Sequence, residues 1–117
     1  MLKDVIKLGT GRRALALKRK DLAGKTGTTN DAADTWFNGY GAGIATTVWV
    51  GFTNHSPMGS NAYGSNIPLP IWIDIMQFAL KGTKEKTTVQ PAGIVSLRVD
   101  SETGLPTTEK VKSTIFD

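Results

Sequence analysis

Apolar and polar positions along the chain divide it into elements of different period. Leu2, Val5, Ile6 and Leu8 fall on one face of a short helix that stops at Gly9-Thr10-Gly11. A basic stretch, Arg12 to Lys20, reads as an extended connector into a strand over Leu22 to Thr29, where threonines and paired glycines favour strand over helix. Thr35 to Tyr40 and Ile44 to Phe52 are the clearest strands, joined through Gly41-Ala42-Gly43 as a β-hairpin. Ile44, Thr46, Val48, Val50 and Phe52 alternate with Ala45, Thr47, Trp49 and Gly51. Both sets are largely apolar, so this arm is expected to be covered on both faces.

A polar loop, Thr53 to Asn66, follows, and Pro68-Leu69-Pro70 then opens a helix predicted from Ile71 to Lys81, stopped by Gly82. Its stripe of Trp72, Ile75, Met76, Ala79 and Leu80, broadened by Ile71 and Phe78, should pack on the hairpin sheet. Thr83 to Gln90 reads as a charged linker, Pro91-Ala92-Gly93 leads into a last strand, Ile94 to Val99, and Ser101-Glu102-Thr103-Gly104 forms a turn. The tail is polar until Ile115-Phe116. The expected fold is α+β: an antiparallel sheet of about three core strands packed by a C-terminal helix, plus a short tail strand. Residues 1–82 form the main piece, and 83–117 the linker and tail.

Composition narrows the function classes. With 117 residues and 39% hydrophobic content, one small globular domain is the default. The net charge of +4 comes from 14 basic residues interspersed with 10 acidic ones, and only Arg12-Arg13 with Lys18-Arg19-Lys20 cluster. Nucleic acid is therefore not an expected partner. The absence of cysteine excludes a disulfide scaffold, a thiolate metal site and a cysteine nucleophile. No apolar run approaches the roughly 18 to 20 residues of a membrane span, so any anchor is expected outside this chain.

Several glycine-rich readings fail on spacing. A phosphate-binding loop needs a glycine where Arg19 stands, and Gly9-x-Gly11-x-x-Ala14 lacks the βαβ succession of a dinucleotide fingerprint. His55, the single histidine, reads as a loop residue, because no Gly-x-Ser-x-Gly supplies a serine for it. Asp100 and Glu102 lack the spacing of a calcium loop and read as a turn. Neither metal nor cofactor is expected.

Lys25-Thr26-Gly27-Thr28 is the chemically specific run. On a strand at a cleft rim, Lys25 supplies a positive charge and the hydroxyls of Thr26 and Thr28 can bind a carboxylate. Gly27 lets a ligand approach the backbone, and a strand N–H beside it can stabilise an oxyanion. Such donors are worth roughly 3 to 4 kcal/mol each in acyl transfer.

Lys-Thr-Gly is the third signature of penicillin-binding proteins and class A β-lactamases, after a Ser-x-x-Lys and a Ser-Asp-Asn type element. Around it stand Gly9-Thr10-Gly11, Gly24 to Asn30, Asp34-Thr35-Trp36-Phe37-Asn38-Gly39-Tyr40-Gly41 and Val48-Trp49-Val50-Gly51-Phe52. Pro70-Ile71-Trp72, Pro91-Ala92-Gly93-Ile94-Val95 and Asp100 to Gly104 follow in order. Over nearly its whole length the chain resembles the C-terminal part of the transpeptidase domain of class A penicillin-binding proteins of the 1A kind.

That resemblance implies a partial serine transpeptidase and β-lactamase-like fold. The parent would be a D,D-transpeptidase that cross-links peptidoglycan stem peptides through a serine acyl-enzyme and is acylated by β-lactams. It would also carry a glycosyltransferase domain and would sit at the periplasmic face of the inner membrane, held by an anchor not present here. By the same resemblance Lys25 sits beside the catalytic serine and lysine. Thr26 and Thr28 hold the substrate or penicillin carboxylate, Gly27 is the close-approach position, and the Thr28 N–H is half of the oxyanion hole.

The serines are Ser56, Ser60, Ser65, Ser96, Ser101 and Ser113, and none begins Ser-x-x-Lys or Ser-x-Asn. Covalent catalysis needs a nucleophile with a base in reach, so this chain alone is expected neither to react with penicillin nor to cross-link peptides. In the resembled family, two further strands and a helical subdomain come from before this region. The Ile44 to Phe52 arm without them is expected to be an edge that recruits other chains, giving self-association. Two other classes stay open: a non-catalytic interaction fragment, and a basic module gripping an anionic ligand or nucleic acid.

Overall fold

The computed structural model describes residues 1–100, 102–108 and 113–116. They form two compact units, Met1–Thr87 and Thr88–Asp117. The first is built on a three-stranded antiparallel sheet in chain order: β1 (Ala23–Thr28), β2 (Asp34–Gly41) and β3 (Ile44–Gly51). Two helices accompany it, α1 (Leu2–Lys7) and α2 (Pro68–Ala79).

The hairpin register pairs Gly41 with Ile44. Ala42 and Gly43 alone make the turn, with φ of 49° and 87°. Two consecutive positive φ values belong to the type I′ turn, whose twist matches that of the strands it joins.

Strand alternation divides the sheet into unlike faces. Thr35, Phe37, Gly39 and Gly41 of β2 are buried, while Trp36, Asn38 and Tyr40 between them are exposed. On the buried face, Phe37 meets Trp72 of α2 edge to face at 5.0 Å. The Trp72 indole N–H donates to the Thr46 carbonyl at 3.1 Å, so the largest buried ring has no unpaired polar atom. Gly39 makes room for it: a Cβ there would lie 2.6 Å from Trp72 Cζ2 and 2.9 Å from the Ala23 carbonyl. Ile6, Leu22, Leu69, Met76 and Leu80 complete this core.

Several sequence expectations are corrected. Arg12 to Leu17 is a 3-10 helix and not an extended connector. Ala14 is fully buried in the core, so one apolar side chain per turn suffices to hold it. β3 is covered on one face only: Ala45, Thr47 and Trp49 are exposed. Helix α2 begins at Pro68 and ends at Ala79, since the prolines stand within its first turn, where a missing N–H costs nothing. Its buried stripe is Leu69, Trp72 and Met76, while Ile75 is 43% and Phe78 83% exposed, because three strands are too narrow a platform for the broader stripe.

Thr83 to Lys86, expected as linker, is bound to the first unit. The Asp21 carboxylate accepts hydrogen bonds from Arg19 Nε and Nη2 at 2.9 and 2.8 Å and from the backbone N–H groups of Ala42 and Lys86 at 3.1 and 3.0 Å. Arg19 reaches on to the carbonyls of Thr83 and Lys84, and the Glu85 carboxylate accepts the Lys20 N–H. One buried carboxylate thus ties the hairpin turn to the segment leaving α2.

In the second unit β4 (Leu97–Asp100) pairs antiparallel with β5 (Ser113–Phe116). β4 lies three residues later than the predicted start at Ile94, because residues 91–94 form a turn with Gly93 at φ 84°. The Asp100 carboxylate caps the next turn, accepting from the N–H groups of Glu102 and Thr103 and from the Thr103 hydroxyl, as the sequence reading expected of a turn. Ser101 of that turn lies outside the described residues.

Candidate functional site

β1 forms one side of the sheet and is hydrogen-bonded to β2 alone. Its ladder dictates where each backbone group points. The Thr29 N–H donates to the Asp34 carbonyl at 3.0 Å. Opposed residues in an antiparallel pair alternate between bonded and non-bonded. With Thr28 opposite Thr35 and Thr26 opposite Phe37, the N–H and C=O groups of Thr28 and Thr26 therefore turn away from β2. Thr28 carries an outward N–H, as an oxyanion donor requires.

The side chains split between the faces. Lys25 lies opposite Asn38, which lies opposite Thr47, and these three share the exposed face. There they line a shallow groove of about 220 Å³ with Leu2, Gly24 and Tyr40. Thr26 and Thr28 lie on the α2 face, in line with Phe37 and Thr35. The Lys25 ammonium returns to the edge, donating to the outward Thr26 carbonyl at 2.9 Å. Cation, outward amide and hydroxyls thus meet along the edge of β1, and only a ligand laid along that edge can touch all of them. The alternation follows from the strand itself; which face packs against α2 does not follow from the motif.

Two residues outside the motif hold the hydroxyls. Thr10 Oγ1 stands 2.9 Å from Thr26 Oγ1. The Gly64 N–H donates to Thr28 Oγ1 at 3.1 Å. A Cβ on Gly64 would lie 2.6 Å from the Trp36 carbonyl oxygen and 3.0 Å from that of Gly27, so only glycine brings the loop this close. Thr10 was legible in Gly9-Thr10-Gly11, though its contact was not. Gly64 had no sequence signal within a loop of Gly, Ser and Asn.

Thr29 does a different job: its hydroxyl accepts the N–H groups of Ala33 and Asp34, closing the turn between β1 and β2. His55 is 72% exposed, with Nδ1 3.6 Å from Asp34 Oδ2, while Asp34 Oδ1 accepts the Trp49 indole N–H at 2.8 Å. The indole bond joins β3 to β2, and His55 remains a surface-loop residue. Among the described residues no group of three or more His, Asp or Glu could hold a metal ion, and no helix is long and apolar enough to cross a membrane.

The chain is 61% identical over 104 residues to penicillin-binding protein 1A of Pseudomonas aeruginosa, which covers 89% of this chain and 13% of that protein. This is a penicillin-binding protein 1A-like segment. The Neisseria gonorrhoeae penicillin-binding protein 1A is 48% identical over 96 residues, covering 82% of this chain and 12% of its own length. The crystal structure of penicillin-binding protein 1A from Haemophilus influenzae superposes with a TM-score of 0.89 at 33% identity, over 98% of this chain and 18% of that one. The chain therefore spans about an eighth of the length of these curated relatives. No protein-family model matches it. The partial transpeptidase-like fold expected from the resemblance is the fold observed, with the tail strand paired into a second, two-stranded sheet.

Proposed function

We propose that this penicillin-binding protein 1A-like segment is one wall of a D,D-transpeptidase site, acting on peptidoglycan stem peptides and acylated by β-lactams when joined to a part carrying a serine nucleophile. The observation that carries the reading is the edge of β1. The outward Thr28 N–H, the Lys25 ammonium on the Thr26 carbonyl and the hydroxyls of Thr26 and Thr28 lie side by side there. The chemistry divides cleanly. The Thr28 N–H donates to the oxyanion that develops as the serine attacks, and the hydroxyls donate to the terminal carboxylate of the stem peptide or the β-lactam. Lys25 supplies the positive charge that holds both anionic groups near the edge. Gly27 leaves the backbone bare for the ligand to lie against.

The location that fits this activity is the periplasmic face of the inner membrane. The test is acylation by a fluorescent penicillin in a longer polypeptide that carries both this segment and a Ser-x-x-Lys element. Lys25→Gln is expected to slow acylation about 100-fold, the usual cost of losing one preorganised electrostatic contact. An unchanged rate in a folded Lys25→Gln variant would refute the reading.

A further inference from the structure

Thr10 stands outside the Lys-Thr-Gly-Thr run, yet its hydroxyl is 2.9 Å from that of Thr26. The turn that carries it is wound tightly under α1. The Gly11 N–H donates to the Val5 carbonyl at 2.9 Å. A Cβ on Gly9 would lie 3.0 Å from Val5 Cα, and one on Gly11 would lie 2.9 Å from Ile6 Cδ1. The two glycines thus let the chain double back and bring Thr10 to β1.

We propose that Thr10 is a positioning residue that sets the Thr26 hydroxyl as a donor toward the carboxylate of the bound ligand, an inference that rests on the carboxylate-binding reading above. A hydroxyl has one proton to give and two lone pairs to fill. Between two paired hydroxyls, one proton is spent on the other oxygen. A carboxylate can only accept, so it selects the arrangement in which Thr10 donates to Thr26 and Thr26 keeps its proton for the anion. A hydroxyl whose oxygen already accepts is the better donor, because successive hydrogen bonds polarise one another.

Thr28 obeys the same rule more strictly. The Gly64 N–H can only donate, so the Thr28 oxygen accepts there and its proton is free to turn toward the ligand. Two segments far from the motif in sequence therefore give both threonines the same sense. A threonine placed there without such partners would still turn its proton to the anion, but without the polarisation that an accepted hydrogen bond adds.

The experiment uses a longer polypeptide in which this segment is joined to the serine-bearing part. It compares acylation rates for a carboxylate-bearing β-lactam and for its methyl ester, which gives the carboxylate preference. Thr10→Val keeps the side chain's shape and removes the hydroxyl, and Thr10→Ser keeps the hydroxyl. Thr10→Val is expected to lower the preference about fivefold, the size of one hydrogen bond between neutral groups. The ester rate should stay as in the native protein, and Thr10→Ser should restore the preference.

Loss of rate with both compounds in Thr10→Val, or an unchanged preference, would overturn the positioning role. A native protein with no preference for the carboxylate would overturn the binding reading and this inference together. The ester rate separates loss of carboxylate recognition from a general loss of folded enzyme.

Discussion

Replacing Asp21 by asparagine keeps the side chain's shape and removes the charge that ties the hairpin turn to the segment after α2. The native carboxylate takes four N–H donors, from Arg19 Nε, Arg19 Nη2, Ala42 and Lys86. Asparagine has one acceptor oxygen and would turn an NH2 group against the same donors. The Arg19 guanidinium is the main cause that holds the Asp21 pKa at about 2, below its ordinary 3.8, with the Lys86 N–H adding to it and burial opposing both. The interval from 3.8 to about 2 corresponds to about 2.4 kcal/mol of stability at neutral pH.

The sign follows from a folded-state pKa below the unfolded one. This stability is fully present above the unfolded value and is lost as pH falls through about 4 toward about 2. Asp21→Asn should therefore lower the unfolding free energy by about 2 to 3 kcal/mol at pH 7, a large share of a small unit's margin. The gap between native and variant should narrow as the pH is lowered. Urea unfolding of both proteins from pH 7 to pH 2.5 measures it, and hydrogen exchange at the Ala42 and Lys86 amides locates it. A gap below about 1 kcal/mol at pH 7, or one that stays constant down to pH 2.5, would refute the reasoning.

Two further predictions concern the sheet. Ala42 holds φ 49° in a turn that favours Asn or Gly. Ala42→Asn should raise the unfolding free energy by about 0.5 to 1 kcal/mol in the same urea assay, since the short polar side chain of Asn hydrogen-bonds locally and offsets the cost of the left-handed backbone. The free edge of β3 should make the isolated chain self-associate in light scattering, and Thr47→Pro should suppress this, because the ladder register turns the Thr47 N–H away from β2. A monodisperse native monomer would count against the exposed edge as an association site.

The sequence was most legible where periodicity and turn chemistry agree. The alternation in Thr35 to Phe52 with a Gly-rich break between gave the hairpin. The prolines before Trp72 gave the helix, though it starts at Pro68 because prolines fit inside a first helical turn. The basic run Arg12 to Lys20 hid a 3-10 helix, since its four apolar residues, Ala14 to Leu17, are consecutive and show no helical spacing, and only Ala14 is deeply buried. Thr83 to Lys86 is exposed, as its charge suggests, yet it is held to Asp21 and Arg19 largely through backbone groups, which leave no trace in residue type.

The site divides along the same line. Lys25, Thr26, Gly27 and Thr28 stood out as side-chain chemistry, and strand geometry places them. Strand alternation already separates Lys25 from the threonines; what the residues did not reveal is which face packs against α2, or that Thr10 and Gly64 reach the hydroxyls, because both facts depend on packing and on loop paths.

The central claim is that this segment supplies the anion-binding wall of a transpeptidase site and that the nucleophile stands outside it. Labelling with fluorescent penicillin, followed by a denaturing gel, tests this directly on two proteins: the 117-residue chain, and a longer polypeptide that joins it to a Ser-x-x-Lys element. The account predicts a covalent band on the longer protein and none on the chain. A covalent band on the chain, or none on the longer protein, would contradict it.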